Sequence, residues 1–360
     1  MTDFKRLMPD FLQSLTPYES PRDGAKEKTV WLNTNEYPEA TVYAMHFESL
    51  NRYPEVQPRL FCERYAAYAG VTSQSVLVTR GADEAIELLI RTFCAPGKDR
   101  VLYAKPTYSM YAISSQTCGV SAESVPPTVS GDVDLEAFTR RLADKSQTPS
   151  LKLAFFCNPN NPTGEVYGLE TIESILQAMP SDVLLAVDEA YIEFSSTNSA
   201  VPLMTRYPNL VIIRTLSKAF ALAGLRCGVL LANEDVIACL KKVIAPYPVP
   251  EPVARIGEEA LTEKGIERMK ERVKAIEANR AYLVDALRKL PGLGRVYETR
   301  TNFVLIALEN ASEVYEALWQ KGIAVRNPGN DNTLRISVGT RVECDIVVNA
   351  LGAILREKNR

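Results

Sequence analysis

One histidine, His46, occurs in 360 residues. A Ser-His-Asp triad, a histidine-rich metal site and a histidine general base all need more than this chain offers. Basic residues are not in excess. The 41 Lys and Arg stand against 44 Asp and Glu, for a formal charge of -3. That balance lacks the electrostatic footprint of a nucleic-acid or anionic-membrane binder. No apolar run reaches the roughly eighteen residues that a bilayer span needs. The opening MTDFKRLMPDFLQSL is mixed and charged, without the apolar core of a signal segment. Seven cysteines, at 62, 94, 118, 157, 227, 239 and 344, form no CxxC pair, and several sit in apolar runs such as LAFFCN. They are expected to be buried free thiols of a cytoplasmic protein. No cluster suggests a metal site.

What is present is enough apolar material for a large core, with 46% hydrophobic and 24% charged residues. The length suits two domains. Between about residues 70 and 245, short apolar runs alternate with helical patterns: SVLVT (75–79), RVLYA (100–104), LKLAFF (151–156), DVLLAV (182–187), NLVIIR (209–214) and CGVLLA (227–232). Runs apolar on both faces, separated by helices such as 168–178, predict a mostly parallel α/β sheet covered on both sides. Beyond residue 250 the pattern changes. Met269, Val273, Ile276, Leu283, Leu287 and Leu290 mark one face of a long helix that Pro291-Gly292 stops. Strands at 302–308, 323–325 and 333–338 and helices at 311–320 and 341–356 follow, as in a smaller α+β unit. The expected division is an arm (1–30), a large domain (48–250) and a small domain (31–47 and 251–360).

Ligands of such sheets bind beyond the carboxyl ends of the strands. Several polar motifs fall there: GAD after SVLVT, NPNNPTG after LKLAFF, DEAY after DVLLAV and TLSK after NLVIIR. Taken singly, each has an ordinary reading. Lys218 could be a solvated lysine, Asp188 a helix N-cap, Asn161 a turn residue, and Tyr108 or Tyr111 core packing. Gly81-Ala82-Asp83 opens a helix whose backbone N–H groups suit a dianion.

Taken together, SKAFALAGLRCG, NPNNPTG and DEAYIEF resemble the signatures of the fold-type I aminotransferases, which depend on pyridoxal 5'-phosphate (PLP). With LTPY, WLNTNEYP, LNRYPE, TRGADEAIELLIRTFC, PTYSMY, IAPYP and LRISVGT, the resemblance narrows to the histidinol-phosphate aminotransferase family and covers nearly the whole chain. It implies a large sheet domain with a smaller domain closing over the site. Lys218 would carry the cofactor covalently and, once released, act as the base. Asp188 would keep the pyridine nitrogen protonated. Tyr191 and Asn161 would donate to the ring hydroxyl, and Tyr108 would stack on the ring, with Tyr111 competing for that role. Ser217, Arg226 and the start of the helix at Ala82 and Asp83 would hold the phosphate. Glu189 would point elsewhere. Tyr53 would reach the partner's cofactor phosphate in a homodimer.

Arg335 would bind both substrates, since a guanidinium fork accepts carboxylate or phosphate. Arg326, Tyr18, Asn35 and Tyr247 would assist it. The implied reaction exchanges histidinol phosphate and 2-oxoglutarate with imidazole-acetol phosphate and glutamate, as in histidine biosynthesis. Alternatives of the same fold are an aromatic aminotransferase and an amino-acid-phosphate decarboxylase. A PLP-binding ligand sensor is the alternative of a different class.

Overall fold

The computed structural model describes residues 7–13, 15, 30–144, 146, 150–195, 198–329 and 332–358. Tyr18 and most of the expected arm lie outside the described residues. The strands are β1 (Val30–Trp31), β2 (Val76–Thr79), β3 (Asp99–Ala104), β4 (Ser121–Val125), β5 (Ser150–Cys157), β6 (Leu184–Asp188), β7 (Leu210–Thr215), β8 (Gly228–Leu231), β9 (Phe303–Ala307), β10 (Ile323–Ala324) and β11 (Thr333–Ser337).

Among the described residues, seven strands form one sheet in the order β2-β8-β7-β6-β5-β3-β4. Only β8 runs against its neighbours, pairing antiparallel with β2 and β7. The remaining pairs are parallel. The expectation of a mostly parallel sheet therefore holds, and the reversal of β8 is the exception.

Side chains of a strand alternate between faces, and the two hydrophobic clusters follow that period. Val76, Val78, Leu185, Val187 and Ile212 belong to one cluster. Leu77, Ala186, Val211 and Ile213 belong to the other. Each face is covered by helices, among them Ala82–Phe93 and Leu169–Ala178. The long helix spans Glu263–Arg288 and buries Met269, Val273, Ile276, Leu283 and Leu287. Leu290 falls beyond its end, half-buried in the turn that Pro291 and Gly292 continue. Two small pairings complete the fold: β9 with β11, antiparallel, and β1 with β10, parallel. The second joins the stretch before residue 48 to the carboxy-terminal third. Among the described residues no helix is long and apolar enough to cross a membrane. All seven cysteines are free, and Cys118 and Cys239 are only half-buried.

The reversed strand sets a tight approach. A Cβ on Gly228 would stand 2.4 Å from the carbonyl carbon of Gly81 and 2.7 Å from the nitrogen of Ala82. Only a residue without Cβ lets β8 pass the start of the helix Ala82–Phe93 this closely. Gly224, four residues earlier, would meet nothing within 4 Å. In urea unfolding, Gly228→Ala is expected to cost about 1–3 kcal/mol, as for overpacking. Gly224→Ala should stay within about 0.5 kcal/mol of wild type. Equal effects of the two would contradict the close approach.

Candidate active site

Because β2, β3, β5, β6 and β7 share one direction, the loops that follow them open on the same edge. The reversal of β8 brings Arg226, two residues before the strand, to that edge as well. A cavity of about 770 Å³ lies there, large enough for a small-molecule ligand. It is also lined from outside the sheet, by Asn33, Asn35, Arg326 and Arg335.

The β2 loop turns through Gly81 at φ 87°, a conformation that favours glycine. A Cβ on it would lie 2.6 Å from Nη2 of Arg226. The helix then starts at Ala82, so its first N–H groups face the cavity, next to the Arg226 guanidinium. Arg226 Nη2 donates to Asp83 Oδ2 at 3.1 Å, and Tyr108 Oη donates to Asp83 Oδ1 at 2.9 Å. The Asp83 side chain is thus turned to both partners. Thr215 Oγ1 donates to Ser217 Oγ at 2.8 Å, next to the same corner.

The opposite end is built around Asp188. Its Oδ2 accepts from Tyr111 Oη at 2.8 Å and its Oδ1 from the Ala190 N–H at 3.1 Å. Burial pushes the carboxyl up to about 6, against the lowering effect of these hydrogen bonds. Of the two tyrosines that competed in sequence, Tyr108 lines the cavity. Tyr111 is fully buried behind it and stacked on Phe155 at 4.7 Å. Its hydrogen bond to Asp188 gives Tyr111 a part that sequence reasoning missed. The only signal was its place in PTYSMY, three residues after Tyr108.

In NPNNPTG, Asn158 bonds to the main chain of Tyr167, and Asn160 to Pro106 and Thr163. Asn161 faces the cavity, where its Oδ1 accepts from Arg335 Nη1 at 2.5 Å. Tyr191 Oη accepts from Asn35 Nδ2 at 3.0 Å. Asn35 is buried in a left-handed conformation at φ 55°, and its Oδ1 accepts from Ser337 Oγ. Arg335 Nη2 donates to the Asn33 carbonyl at 2.8 Å. Arg326 and Arg335 exchange main-chain hydrogen bonds, at 2.9 and 2.8 Å, across an isolated antiparallel bridge. Directly opposite residues of this kind present their side chains to one face, so two guanidiniums line the same wall.

Lys218 lies between these ends. Its Nζ donates to the Thr34 carbonyl at 2.9 Å. Loss of water around the ammonium lowers its pKa to about 8, helped by the Arg335 and Arg226 charges and opposed by Glu36 and Asp83. Thr34 was another residue that sequence reasoning missed, although it lies inside WLNTNEYP.

Not every expected site residue is in this cavity. Tyr53 and Tyr247 stack on each other at 4.6 Å, 81% and 43% exposed, and neither lines the cavity of its own chain. Tyr247, expected as a helper on the substrate, sits in a left-handed turn, φ 52°, with its ring on Tyr53. Glu189 points away from the cavity and pairs with Arg214.

The aminotransferase class I and II family model matches residues 27–351. The chain belongs to the aminotransferase class I and II family. A histidinol-phosphate aminotransferase of Yersinia pseudotuberculosis serotype O:3 (strain YPIII) is 47% identical over 347 residues, 95% of this chain and 89% of that protein. Among solved structures, the histidinol-phosphate aminotransferase of Sinorhizobium meliloti, in complex with pyridoxal-5'-phosphate, superposes with a TM-score of 0.85 at 22% identity. The match covers 97% of this chain and 98% of that one. The L-threonine-O-3-phosphate decarboxylase of Porphyromonas gingivalis gives a TM-score of 0.74 at 20% identity, covering 91% and 100%. At such identities these two speak for the fold alone, which is the aminotransferase fold expected from the sequence.

The depressed lysine of this class I and II aminotransferase is directly measurable. In protein freed of any bound aldehyde, modification of Lys218 by an amine reagent is expected to reach half its maximal rate near pH 8. Arg335→Met should raise the Lys218 midpoint, because the lowering charge is gone. A Lys218 midpoint above pH 10, read by peptide mass spectrometry, would contradict the enclosed, cation-flanked amine.

Proposed function

We propose that the protein is a PLP-dependent aminotransferase that interconverts histidinol phosphate and 2-oxoglutarate with imidazole-acetol phosphate and glutamate, in histidine biosynthesis. The observation that carries the reading is the meeting of Lys218 with two guanidiniums, Arg326 and Arg335, in one cavity. The near full-length similarity to histidinol-phosphate aminotransferases supports the substrate.

The cavity fits PLP. The glycine at position 81 leaves room for the Arg226 guanidinium beside a helix start, which suits a phosphate. Asp188, buried and tied down by Tyr111, suits a ring nitrogen. We assign the phosphate to Ser217, Arg226 and the main chain of Ala82 and Asp83, and the ring face to Tyr108. Asn161 and Tyr191 would hold the ring hydroxyl. Bound there, the cofactor supplies an electron sink for negative charge on the substrate carbon that bears the nitrogen.

The residues then have separable tasks. Lys218 Nζ, with its pKa lowered to about 8, has a far larger unprotonated fraction near neutral pH than an ordinary lysine, and in that form would take the proton from the substrate carbon. Asp188 would keep a negative charge at the ring nitrogen. Arg335, with Arg326, would hold the phosphate of histidinol phosphate or a carboxylate of glutamate. Asn161 and the Asn33 carbonyl fix the Arg335 fork before substrate arrives. Asn35 orients the Tyr191 hydroxyl. The small domain, residues 31–47 and 251–360, would close over the site.

The exposed rings of Tyr53 and Tyr247, with Leu50 and Val56 close by in sequence and also exposed, support a homodimer in which Tyr53 reaches the partner's phosphate site. A cytoplasmic location is consistent with a chain whose described residues hold no membrane-crossing helix.

Lys218→Ala is expected to abolish the visible absorbance of bound PLP and to lower turnover by about 10³-fold or more. Retained transamination would sink the mechanism. Arg335→Lys loses the fork and should raise KM about 10- to 100-fold for both histidinol phosphate and glutamate. An effect on glutamate alone would contradict a shared oxyanion site. A substrate panel of histidinol phosphate, phenylalanine, aspartate and threonine phosphate, scored by conversion of the cofactor to its amine form, separates this reading from the aromatic enzyme. Release of carbon dioxide from threonine phosphate would instead identify a decarboxylase.

A further inference from the structure

Behind the cavity lies a second group of charges that the proposed chemistry does not use. Main-chain alternation turns Glu189 and Arg214 to the face opposite Asp188 and Thr215. Glu189 follows Asp188 directly at the end of β6, and its N–H donates to the Ile213 carbonyl of β7 at 2.9 Å. Arg214 lies four residues before Lys218. Its Nε donates to Glu189 Oε2 at 2.7 Å and its Nη1 to Glu193 Oε1 at 3.3 Å. The side chains are 7%, 0% and 6% exposed for Arg214, Glu189 and Glu193. Glu189 also accepts from Ser199 Oγ and from the Ala200 N–H, both at 2.7 Å. Tyr68 Oη donates to Glu193 Oε1 at 3.4 Å.

A buried ion pair of this kind contributes little net stability relative to apolar residues of the same shape, because its desolvation offsets the attraction. What it fixes is geometry. The fork spans two neighbouring strands where each hands over to a functional loop, one carrying Asp188 and Tyr191, the other Ser217 and Lys218. We propose that Glu189 and Arg214 are a positioning pair that locks the β6 and β7 loops together, so that Asp188 and Lys218 keep a fixed separation across the cofactor. The proposal rests on the PLP reading of the cavity. The pair also balances charge. Glu189 stands next to Asp188, and its charge helps to push that carboxyl up. Arg214 pairs directly with the Glu189 charge.

The groups that face Lys218 are Arg335, Arg226, Glu36 and Asp83. Those that face the pair are Glu193, Tyr65, Tyr68 and Asp188. None of these needs to be changed in the test. Holoenzyme variants Glu189→Gln, Arg214→Gln and Arg214→Lys are compared with wild type in three readouts: the pH midpoint of the bound cofactor's absorption spectrum, kcat against KM in both half-reactions, and the melting temperature. Glu189→Gln removes one negative charge from the cluster and is expected to lower the spectral midpoint by about half a pH unit or more; Arg214→Gln removes the positive charge that Glu189 and Glu193 share and should raise it. Arg214→Lys keeps the charge but loses the fork. It should hold the midpoint near wild type while kcat falls about 10- to 100-fold with KM little changed. If Arg214→Gln gives no folded protein, the opposed behaviour of Glu189→Gln and Arg214→Lys decides the matter. Variants that melt earlier yet keep wild-type midpoint and kcat would overturn the proposal and leave the pair a structural brace. A wild-type protein with no cofactor chromophore would overturn both the pair's role and the cofactor reading.

Discussion

An amine enclosed among cations is the constraint on which the arrangement depends. Lys218 has lost much of the water that would keep it charged, and Arg335 and Arg226 add to the pressure on it. Holding it there requires a rigid surround, because a lysine free to swing outward would regain its water and its ordinary pKa. The Thr34 carbonyl meets the amine from one side. The β7 strand, buried along its whole length, anchors it from the other. Arg335 is itself held by Asn161 and the Asn33 carbonyl. The two ends of the chain therefore meet at one nitrogen: the stretch at 33–36 and the β11 strand supply its lid, and the sheet supplies its floor.

The sheet edge explains why so many short polar motifs converge. Five parallel strands deliver their following loops to one side, and the single reversed strand delivers the segment before it. Gly228 is what allows that reversed strand to run against the helix start. Without it, Arg226 and the Ala82 N–H groups could not share a corner. Phosphate recognition and strand topology are thus one feature.

Much of this was legible in the sequence, for identifiable reasons. β2, β6, β7 and β8 are buried on nearly every residue and read as uninterrupted apolar runs. The motifs that follow them could be placed at the strand ends. β4 escaped notice because four of its five residues are exposed or half-buried, and β1 because it is two residues long. The direction of β8 leaves no trace in composition, since a strand buried on both faces looks the same either way round. Tyr111 looked interchangeable with Tyr108; only the packing on Phe155 and the hydrogen bond to Asp188 separate them. The contact of Tyr247 was hidden for a different reason: its ring finds Tyr53, a neighbour nearly two hundred residues away in sequence, which no local pattern reports.

The central claim is that Lys218, among the lysines, carries the cofactor. Lys105 also lines the cavity and is the natural rival. Reduction of the PLP-loaded protein with borohydride, followed by digestion and mass spectrometry, reads the answer directly. The account predicts the cofactor mass on the peptide containing Lys218. Label on Lys105, or spread over surface lysines with none on Lys218, would contradict it.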